Sequence, residues 1–176
     1  MQPSNDYQFV THWRVEATPR QVSDVLDKPL DLPRWWPSVY LQVTEPEPDV
    51  FSLHTKGWLP YTLRWSFRVT ERRMPYGFTL EAWGDFNGRG VWTFEPDGAY
   101  TNITYDWRIR ADKPLLRYLS FMFKPVFSAN HRWAMAQGEQ SLRRELARLK
   151  SASAPPPPAS SSRIPGSAPG PRVAAP

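Results

Sequence analysis

The sequence predicts an α+β domain in which a curved antiparallel sheet of about seven strands surrounds one long C-terminal helix. Segments that alternate apolar and polar residues follow one another over residues 9–110, which is the pattern of half-buried strands. An amphipathic pattern with apolar residues three and four apart then runs to residue 150. Among 176 residues there are 9 Trp, 7 Tyr and 9 Phe, so even a small core buries a large apolar area.

The front of the chain predicts a strand followed by two short helices. Alternation over residues 9–16 indicates the strand. Thr18 is a favourable N-cap and Pro19 suits the first helical position, so a helix is expected to start here and to stop at Pro29. A second short helix is expected over residues 32–36, before Pro37.

Turn sequences divide the middle of the chain into six further strands. Asn87-Gly88 favours a tight hairpin, and a loop is expected at 45–49. Because hairpins join consecutive strands, the sheet is expected to be antiparallel. The predicted strands lie at 39–44, 50–56, 62–72, 78–86, 89–95 and 100–110.

The end of the folded region predicts helix. A short apolar helix is expected at 113–123, and Pro125 either starts a new helix or kinks this one. The helix reaching residue 150 must cover the apolar face of the sheet, which leaves room for a ligand between them. Its apolar stripe consists of Phe127, His131, Met135, Gly138, Leu142, Leu146 and Leu149.

Composition divides the chain into a folded domain at 1–150 and a tail at 151–176. The tail consists mostly of Ser, Ala, Pro and Gly, which bury too little surface to offset their ordering entropy. We therefore expect it to be disordered, with docking of a partner by its prolines as an alternative. Deletion of residues 151–176 without any effect on the interactions of the protein would exclude a docking role for the tail.

Charge and cysteine content exclude several classes of protein. The net charge is +5, of which Arg163 and Arg172 in the tail supply two, leaving +3 for the domain. That charge is too small and too evenly spread to predict nucleic-acid binding. No cysteine is present, which excludes disulfides and thiolate zinc sites, and three scattered histidines predict no metal site. No signal peptide or membrane span is recognisable, so a cytoplasmic location without stable membrane insertion is expected.

Two motifs resemble a known family. The segment from Val15 to Leu26 carries an Ala-x-Pro-x-x-Val helix start, and Leu32–Pro37 carries a Trp-Trp-Pro turn. Asn130-His131, Trp133 and Gly138-Glu139 add a pattern on the long helix. Residues 8–150 thereby resemble the START-like (SRPBCC) superfamily, in particular its polyketide cyclase/dehydrase and lipid-transport group. The resemblance implies a helix-grip fold, and it leaves the function open among ligand carriers, receptors, aromatase/cyclases and hydrolases.

The inward face of the predicted sheet and helix supplies the candidate binding residues. They are predicted to bind a small hydrophobic or polycyclic molecule, lipid or polyketide-like, although most of them can equally pack as core. The predicted ligand-binding residues are Trp13, Phe51, Trp65, Phe67, Leu80, Trp92, Phe94, Tyr105, Trp107, Phe127, His131 and Met135. Four apolar residues on either side of Lys124 and Pro125 are expected either to pack at the sheet edge or to form a lid or a membrane-touching patch, namely Phe121, Met122, Phe123 and Phe127.

Catalysis is the alternative function. His131 and Tyr105 are the weak candidates for acid/base chemistry of a polyketide cyclase/dehydratase. The carboxylates Glu81, Asp85, Glu95 and Asp106 fall on the outward phase of their strands. Asp85 and Asn87, near a strand end, are expected to reach the mouth of the cavity only if Phe86 points inward. No cofactor is predicted, the catalytic residues are otherwise unknown, and the oligomeric state stays open.

Overall fold

The computed structural model describes residues 6–110 and 114–153, with side chains given for 7–110 and 125–153. The helices are α1 (Pro19–Leu26), α2 (Leu32–Trp35) and α3 (Pro114–Ser153), and a turn of 3₁₀ helix at Pro29–Asp31 precedes α2. The strands are β1 (Asp6–Val15), β2 (Tyr40–Glu47), β3 (Val50–Lys56), β4 (Thr62–Arg72), β5 (Gly77–Gly84), β6 (Asn87–Asp97) and β7 (Tyr100–Arg110).

The seven strands form one antiparallel sheet in the order β1-β7-β6-β5-β4-β3-β2. Strands β2 to β7 are neighbours in chain order. Strand β1 pairs with β7 at one edge of the sheet, and the chain then crosses through α1 and α2 to β2 at the other edge. The long helix α3 packs against β1, α1 and α2. The predicted fold class, a curved antiparallel sheet around a C-terminal helix, is confirmed.

The start of α1 is fixed by local hydrogen bonds. The backbone N–H of Gln21 donates to the Thr18 hydroxyl over 3.2 Å, and the Thr18 N–H donates to the Gln21 side chain over 2.9 Å. This reciprocal capping box satisfies two backbone donors at the helix start. The apolar face of α1, Val22 to Leu26, is then buried against the core, as the sequence predicts.

Two turn predictions are wrong. Asn87 and Gly88 do not form a hairpin turn, because they pair with Arg110 and Ile109 as the first residues of β6. The chain turns just before them, and Gly84 supplies the positive φ of 124° that other residues rarely adopt. Similarly, β2 continues to Glu47 through the segment expected to be a loop.

The long helix differs from its prediction in two places. Of the two alternatives at Pro125, no new helix starts there, and α3 is one helix that contains the proline. It also runs to Ser153, three residues past the expected domain boundary, and residues 154–176 of the predicted tail lie outside the described residues. Leu149 is 38% exposed, because α3 has there reached the end of β1, where Lys150 donates to the Glu16 carbonyl.

A buried carboxylate, which sequence reasoning missed, joins α2 to α3. The Glu145 side chain is only 6% exposed and accepts hydrogen bonds from Arg34 over 2.8 Å and from Arg148 over 2.8 Å. These hydrogen bonds from Arg148 and Arg34 lower the pKa of Glu145 to about 2, against the opposing effect of burial. The Trp35-Trp36 turn is therefore held onto the C-terminal half of α3 by charge as well as by packing.

Candidate functional site: an aromatic cavity beneath the long helix

A cavity of about 180 Å³ lies between the sheet and α3 and is partly open to solvent. Its walls come from β1, β2, β3, β4, β7 and α3, with the Trp-Trp-Pro turn closing one side. It is lined by Tyr7, Phe9, Trp36, Val39, Tyr40, Thr55, Lys56, Gly57, Tyr61, Leu63, Trp65, Phe86, Tyr105, Trp107, Ile109, Phe127, Asn130, His131, Ala134 and Met135.

The sheet side of the cavity is a continuous aromatic wall. The rings of Tyr105 and Trp107 stack with centroids 5.7 Å apart, and Trp107 meets Trp65 at 6.0 Å. Phe86 closes the group, 5.2 Å from Trp65. Gly90 has no side chain where Tyr105 lies, and a Cβ there would come within 2.9 Å of the Tyr105 hydroxyl. The wall thus depends on alternate residues of β4 and β7 facing inward.

Six of the twelve predicted binding residues line this cavity, namely Trp65, Tyr105, Trp107, Phe127, His131 and Met135. The other six pack in the core away from it, namely Trp13, Phe51, Phe67, Leu80, Trp92 and Phe94. The reason is visible at Trp13, whose ring contacts Trp36 at 5.7 Å and Trp92 at 5.5 Å. The Trp-Trp-Pro turn therefore fills the space that an inward-facing Trp13 would otherwise border.

His131 and Asn130 are polar residues that α3 contributes to the cavity lining, and His131 is the one with an unpaired nitrogen. Its ring stacks on Phe9 with centroids 4.4 Å apart, and its buried Nε2 has no hydrogen-bond partner among the described residues. Burial lowers the pKa of His131 to about 4, so the imidazole is neutral near pH 7. A neutral imidazole with an unpaired nitrogen can form one hydrogen bond with a ligand through that nitrogen.

Two tyrosines of the sheet, Tyr105 and Tyr40, line the same cavity. Burial raises the pKa of Tyr105 well above its usual range, with the nearby Tyr40 adding to the effect. Burial likewise raises the pKa of Tyr40. Both hydroxyls therefore keep their protons and can donate hydrogen bonds. Thr55, in contrast, accepts a hydrogen bond from Trp65 Nε1 over 3.0 Å.

Sequence reasoning missed several lining residues. Tyr40 and Tyr61 begin or precede strands, where too few residues alternate to show which face they occupy. Leu63 could have been predicted, because it lies on the same inward phase of β4 as Trp65. Asn130 precedes His131 on α3, outside the predicted apolar stripe.

Asn130 fastens the loop between β3 and β4 to α3. Its Oδ1 accepts the backbone N–H of Trp58 over 2.9 Å, and a Cβ at Gly57 would overlap its amide. This loop contributes Gly57 and Tyr61 to the cavity, while the Trp58 side chain is 52% exposed. The contact is thus a latch at the rim of the cavity.

Asn130→Ala is expected to loosen this loop. The Trp58 N–H loses its acceptor, so the free energy of unfolding should fall by about 1 kcal/mol. The rate of hydrogen exchange at the Trp58 amide should rise by a larger factor than the loss of global stability alone would produce. Asn130→Asp keeps an acceptor oxygen and serves as the matched control. Equal exchange rates at Trp58 in wild type and Asn130→Ala would show that the latch does not hold the loop.

Carboxylates do not line the cavity in the described part of the chain. Glu81 and Glu95 are exposed, and the Asp85 carboxylate accepts the backbone N–H of Arg64 over 2.8 Å. Among the described residues, no three side chains of metal-binding type cluster together. No helix of that same part of the chain combines the length and hydrophobicity needed to span a bilayer.

The family model described as "Polyketide cyclase / dehydrase and lipid transport" matches residues 8–154. The chain belongs to this family. The resemblance predicted from the Ala-x-Pro-x-x-Val and Trp-Trp-Pro motifs is therefore confirmed. No curated protein sequence matches this polyketide cyclase/dehydrase and lipid-transport family member.

Solved structures share the fold of this family member at low sequence identity. The Zhui aromatase/cyclase from Streptomyces sp. R1128 has a TM-score of 0.66 at 15% identity, covering 84% of this chain and 98% of its own. A START superfamily protein from Mycobacterium smegmatis has a TM-score of 0.67 at 12% identity, covering 81% and 98%. A conserved protein from Geobacillus kaustophilus has a TM-score of 0.67 at 14% identity, covering 81% and 96%. These likenesses establish the shared fold.

Proposed function

We propose that the protein binds a small hydrophobic molecule, lipid or polyketide-like, in the cavity between the sheet and α3. The observation that carries this proposal is the partly open cavity of about 180 Å³, whose walls are mainly aromatic. Burial of apolar ligand surface against such walls contributes about 25 cal/mol of favourable free energy per Å². The family to which the chain belongs, described in part by lipid transport, supports the same class of function.

The size of the cavity limits what it encloses. A dry apolar cavity of about 150 Å³ in another protein holds a benzene molecule, and the present cavity is about 180 Å³. The enclosed part of the ligand is therefore about one or two rings, or a short stretch of acyl chain. A larger polycyclic ligand, as the sequence predicts, would extend through the open side.

The polar groups of the cavity would orient the ligand. Tyr105 and Tyr40 can donate hydrogen bonds, and His131, whose buried Nε2 has no partner among the described residues, lines the same cavity from the helix side. Removal of a partner from a buried polar group costs about 1–3 kcal/mol. A ligand carbonyl or hydroxyl that satisfies His131 therefore gains affinity over a purely apolar molecule of the same shape.

Filling the cavity tests the proposal. Ala134 lines it from α3, so Ala134→Phe is expected to weaken binding of the neutral fluorescent probe N-phenyl-1-naphthylamine by about ten-fold or more, or about 1.4 kcal/mol. The titration is followed by probe fluorescence. Ala136→Phe, at an exposed position two residues away, is the control and should bind like wild type.

The two possible failures have separate meanings. Absence of saturable probe binding by correctly folded wild type would refute the binding function. Equal affinities in wild type and Ala134→Phe would show that the probe binds elsewhere. Native mass spectrometry of the gently purified protein adds the ligand class, through a bound mass that is lost on denaturation.

The alternative function is a cyclase or dehydratase reaction in the same cavity. The family description and the fold shared with the Zhui aromatase/cyclase favour it. A general base works best when its pKa is near the operating pH, whereas burial lowers the pKa of His131 to about 4. Catalysis here would thus rest on folding the substrate within the aromatic walls. Turnover of a polyketide substrate that is unaffected by His131→Ala would exclude His131 as the base.

A further inference from the structure

Gly90 lies directly behind the aromatic wall of the cavity, although it does not line the cavity itself. It is a buried residue of β6, on the inward phase that it shares with Trp92 and Phe94. Its backbone does not have a positive φ, so the conformation does not require a glycine there. Because glycine weakens the interior of a strand, its presence indicates that a neighbouring group needs the space of a side chain.

Two rings of the aromatic wall occupy the space where a side chain at position 90 would stand. A Cβ there would lie 2.9 Å from both the hydroxyl oxygen and Cε2 of Tyr105, and 3.0 Å from Cε3 of Trp107. Carbon atoms in contact lie about 3.5–4.0 Å apart, so both rings would have to withdraw by about 0.5–1 Å. Glycine at this position therefore lets Tyr105 and Trp107 lie close against the sheet.

The surroundings of the two rings direct such a withdrawal toward the cavity. Tyr105 stacks on Trp92 with centroids 4.0 Å apart and on Trp107 at 5.7 Å. Trp107 is in turn in contact with Trp65 at 6.0 Å and with Phe86 at 5.8 Å. These neighbours oppose sideways movement, whereas both rings border the empty volume of about 180 Å³. A side chain at position 90 would therefore push the wall into the cavity and reduce its volume.

We propose that Gly90 is a specificity-determining residue, which sets the size of the bound ligand through the positions of Tyr105 and Trp107. By leaving both rings against the sheet, it gives the cavity room for an aromatic molecule of two rings. The inference rests on the proposed binding function and narrows its ligand class to a two-ring aromatic alcohol or ketone. The oxygen of such a ligand can form a hydrogen bond with His131 Nε2, which has no partner among the described residues. Gly90 acts only through other side chains and is thus a positioning residue.

The size and shape of the cavity support this ligand class. A dry cavity of about 150 Å³ in another protein holds benzene, and the present cavity has about 180 Å³ and an open side. A small loss of volume therefore decides whether a second ring enters. The planes of Tyr105 and Trp107 differ by only 18°, so the two rings form a flat wall on which an aromatic ligand can stack.

Selection between one-ring and two-ring ligands tests the proposal. Phenol and 1-naphthol carry the same hydroxyl group and differ by one ring, and calorimetric titration measures the affinity of each. Wild type is expected to bind 1-naphthol about ten-fold more tightly than phenol, because the second ring buries more apolar surface. In Gly90→Ala this preference should fall to about three-fold or less, with the affinity for phenol nearly unchanged. A purely structural role of Gly90 would not change the ratio of the two affinities.

Gly98→Ala is the matched control for loss of stability. Gly98 lies in the turn between β6 and β7 with a φ of 61°, and an added Cβ there would have no atom within 4 Å. Alanine at this position strains the backbone without touching the wall, so the preference for 1-naphthol should be kept. Thermal unfolding and circular dichroism check that both variants are folded. A preference reduced equally by Gly90→Ala and Gly98→Ala would overturn the proposal.

A variant with a larger cavity keeps the proposal testable should Gly90→Ala alone not fold. Trp107→Leu removes the ring that lies 3.0 Å from the added Cβ, and opens space into which Tyr105 can move. Trp107→Leu is expected to gain about five-fold in affinity for the three-ring probe 9-phenanthrol, and adding Gly90→Ala should remove most of that gain. Equal affinities of Trp107→Leu and Gly90→Ala/Trp107→Leu for 9-phenanthrol would overturn the role of Gly90.

Failure of this inference is distinguishable from failure of the proposed function. Saturable binding of 1-naphthol by wild type, with an unchanged preference in Gly90→Ala, would overturn the role of Gly90 and leave the binding function intact. Loss of affinity for phenol and 1-naphthol by the same factor would likewise overturn size selection. Absence of saturable binding of either probe by correctly folded wild type would refute the proposed function itself.

Discussion

Acidification to about pH 4.5 is expected to cost wild type about 2–3 kcal/mol of folding free energy through His131 alone. Burial lowers the pKa of this imidazole from 6.5 to about 4 in the folded state. The unfolded chain therefore takes up a proton at His131 before the folded protein does, and protonation favours unfolding. The contribution of the neutral ring is fully present above about pH 6.5 and is lost as the pH falls towards 4.

His131→Phe isolates this contribution from the other groups that titrate in acid. The phenyl ring can keep the stack on Phe9 and removes the buried Nε2 that lacks a partner. We expect the variant to be within about 1 kcal/mol of wild type at neutral pH, because an unpaired polar atom is replaced by an apolar one. At about pH 4.5 it should be more stable than wild type by about 2–3 kcal/mol.

Urea unfolding of both proteins across this pH range measures the difference. A constant gap between the two unfolding free energies would contradict a lowered pKa at His131. Direct titration of the His131 ring by NMR gives an independent value. No carboxylate lines the cavity among the described residues, so the burial effect is not offset there by an opposite charge.

Gly138→Ala is expected to destabilise the protein by about 2 kcal/mol, although alanine is the better helix former by about 1 kcal/mol. The six-membered ring of Trp36 lies against the helix backbone at Gly138, where an added Cβ would overlap it. Trp36 is only 2% exposed and is enclosed by Trp13, Trp35 and Tyr40, so it has little room to move. Gly138→Val adds two further methyl groups and should cost about 3 kcal/mol or more.

A double-mutant cycle with Trp36→Phe identifies the cause. The smaller ring frees space at Gly138, so the cost of Gly138→Ala should fall below about 1 kcal/mol or change sign in that background. Chemical unfolding of the four proteins provides the coupling energy. An unchanged cost in both backgrounds would mean that the glycine is needed for some reason other than contact with Trp36. Since Trp36 and Met135 also line the cavity, probe affinity is expected to fall with Gly138→Val.

Local patterns in the sequence determined the fold class and most of its elements. The alternation of Thr101, Ile103, Tyr105 and Trp107 gives both the position of β7 and its buried face, because side chains of a strand alternate between faces. The start of α1 follows from Thr18 and its capping box, which involves only neighbouring residues. The tryptophan-bearing turn and the helix start together indicated the family that the comparison confirms.

Tertiary structure alone decided which inward residues border empty space. Trp13 and Trp107 carry the same sequence signal, yet Trp13 packs beneath Trp36 whereas Trp107 lines the cavity. Strand alternation specifies a face but not what lies opposite it, and that depends on where α3 and the Trp-Trp-Pro turn meet the sheet. The same holds for Glu145, whose burial depends on Arg34, 111 residues away along the chain. Sequence fixes periodicity locally, whereas a cavity or an ion pair depends on segments brought together only by folding.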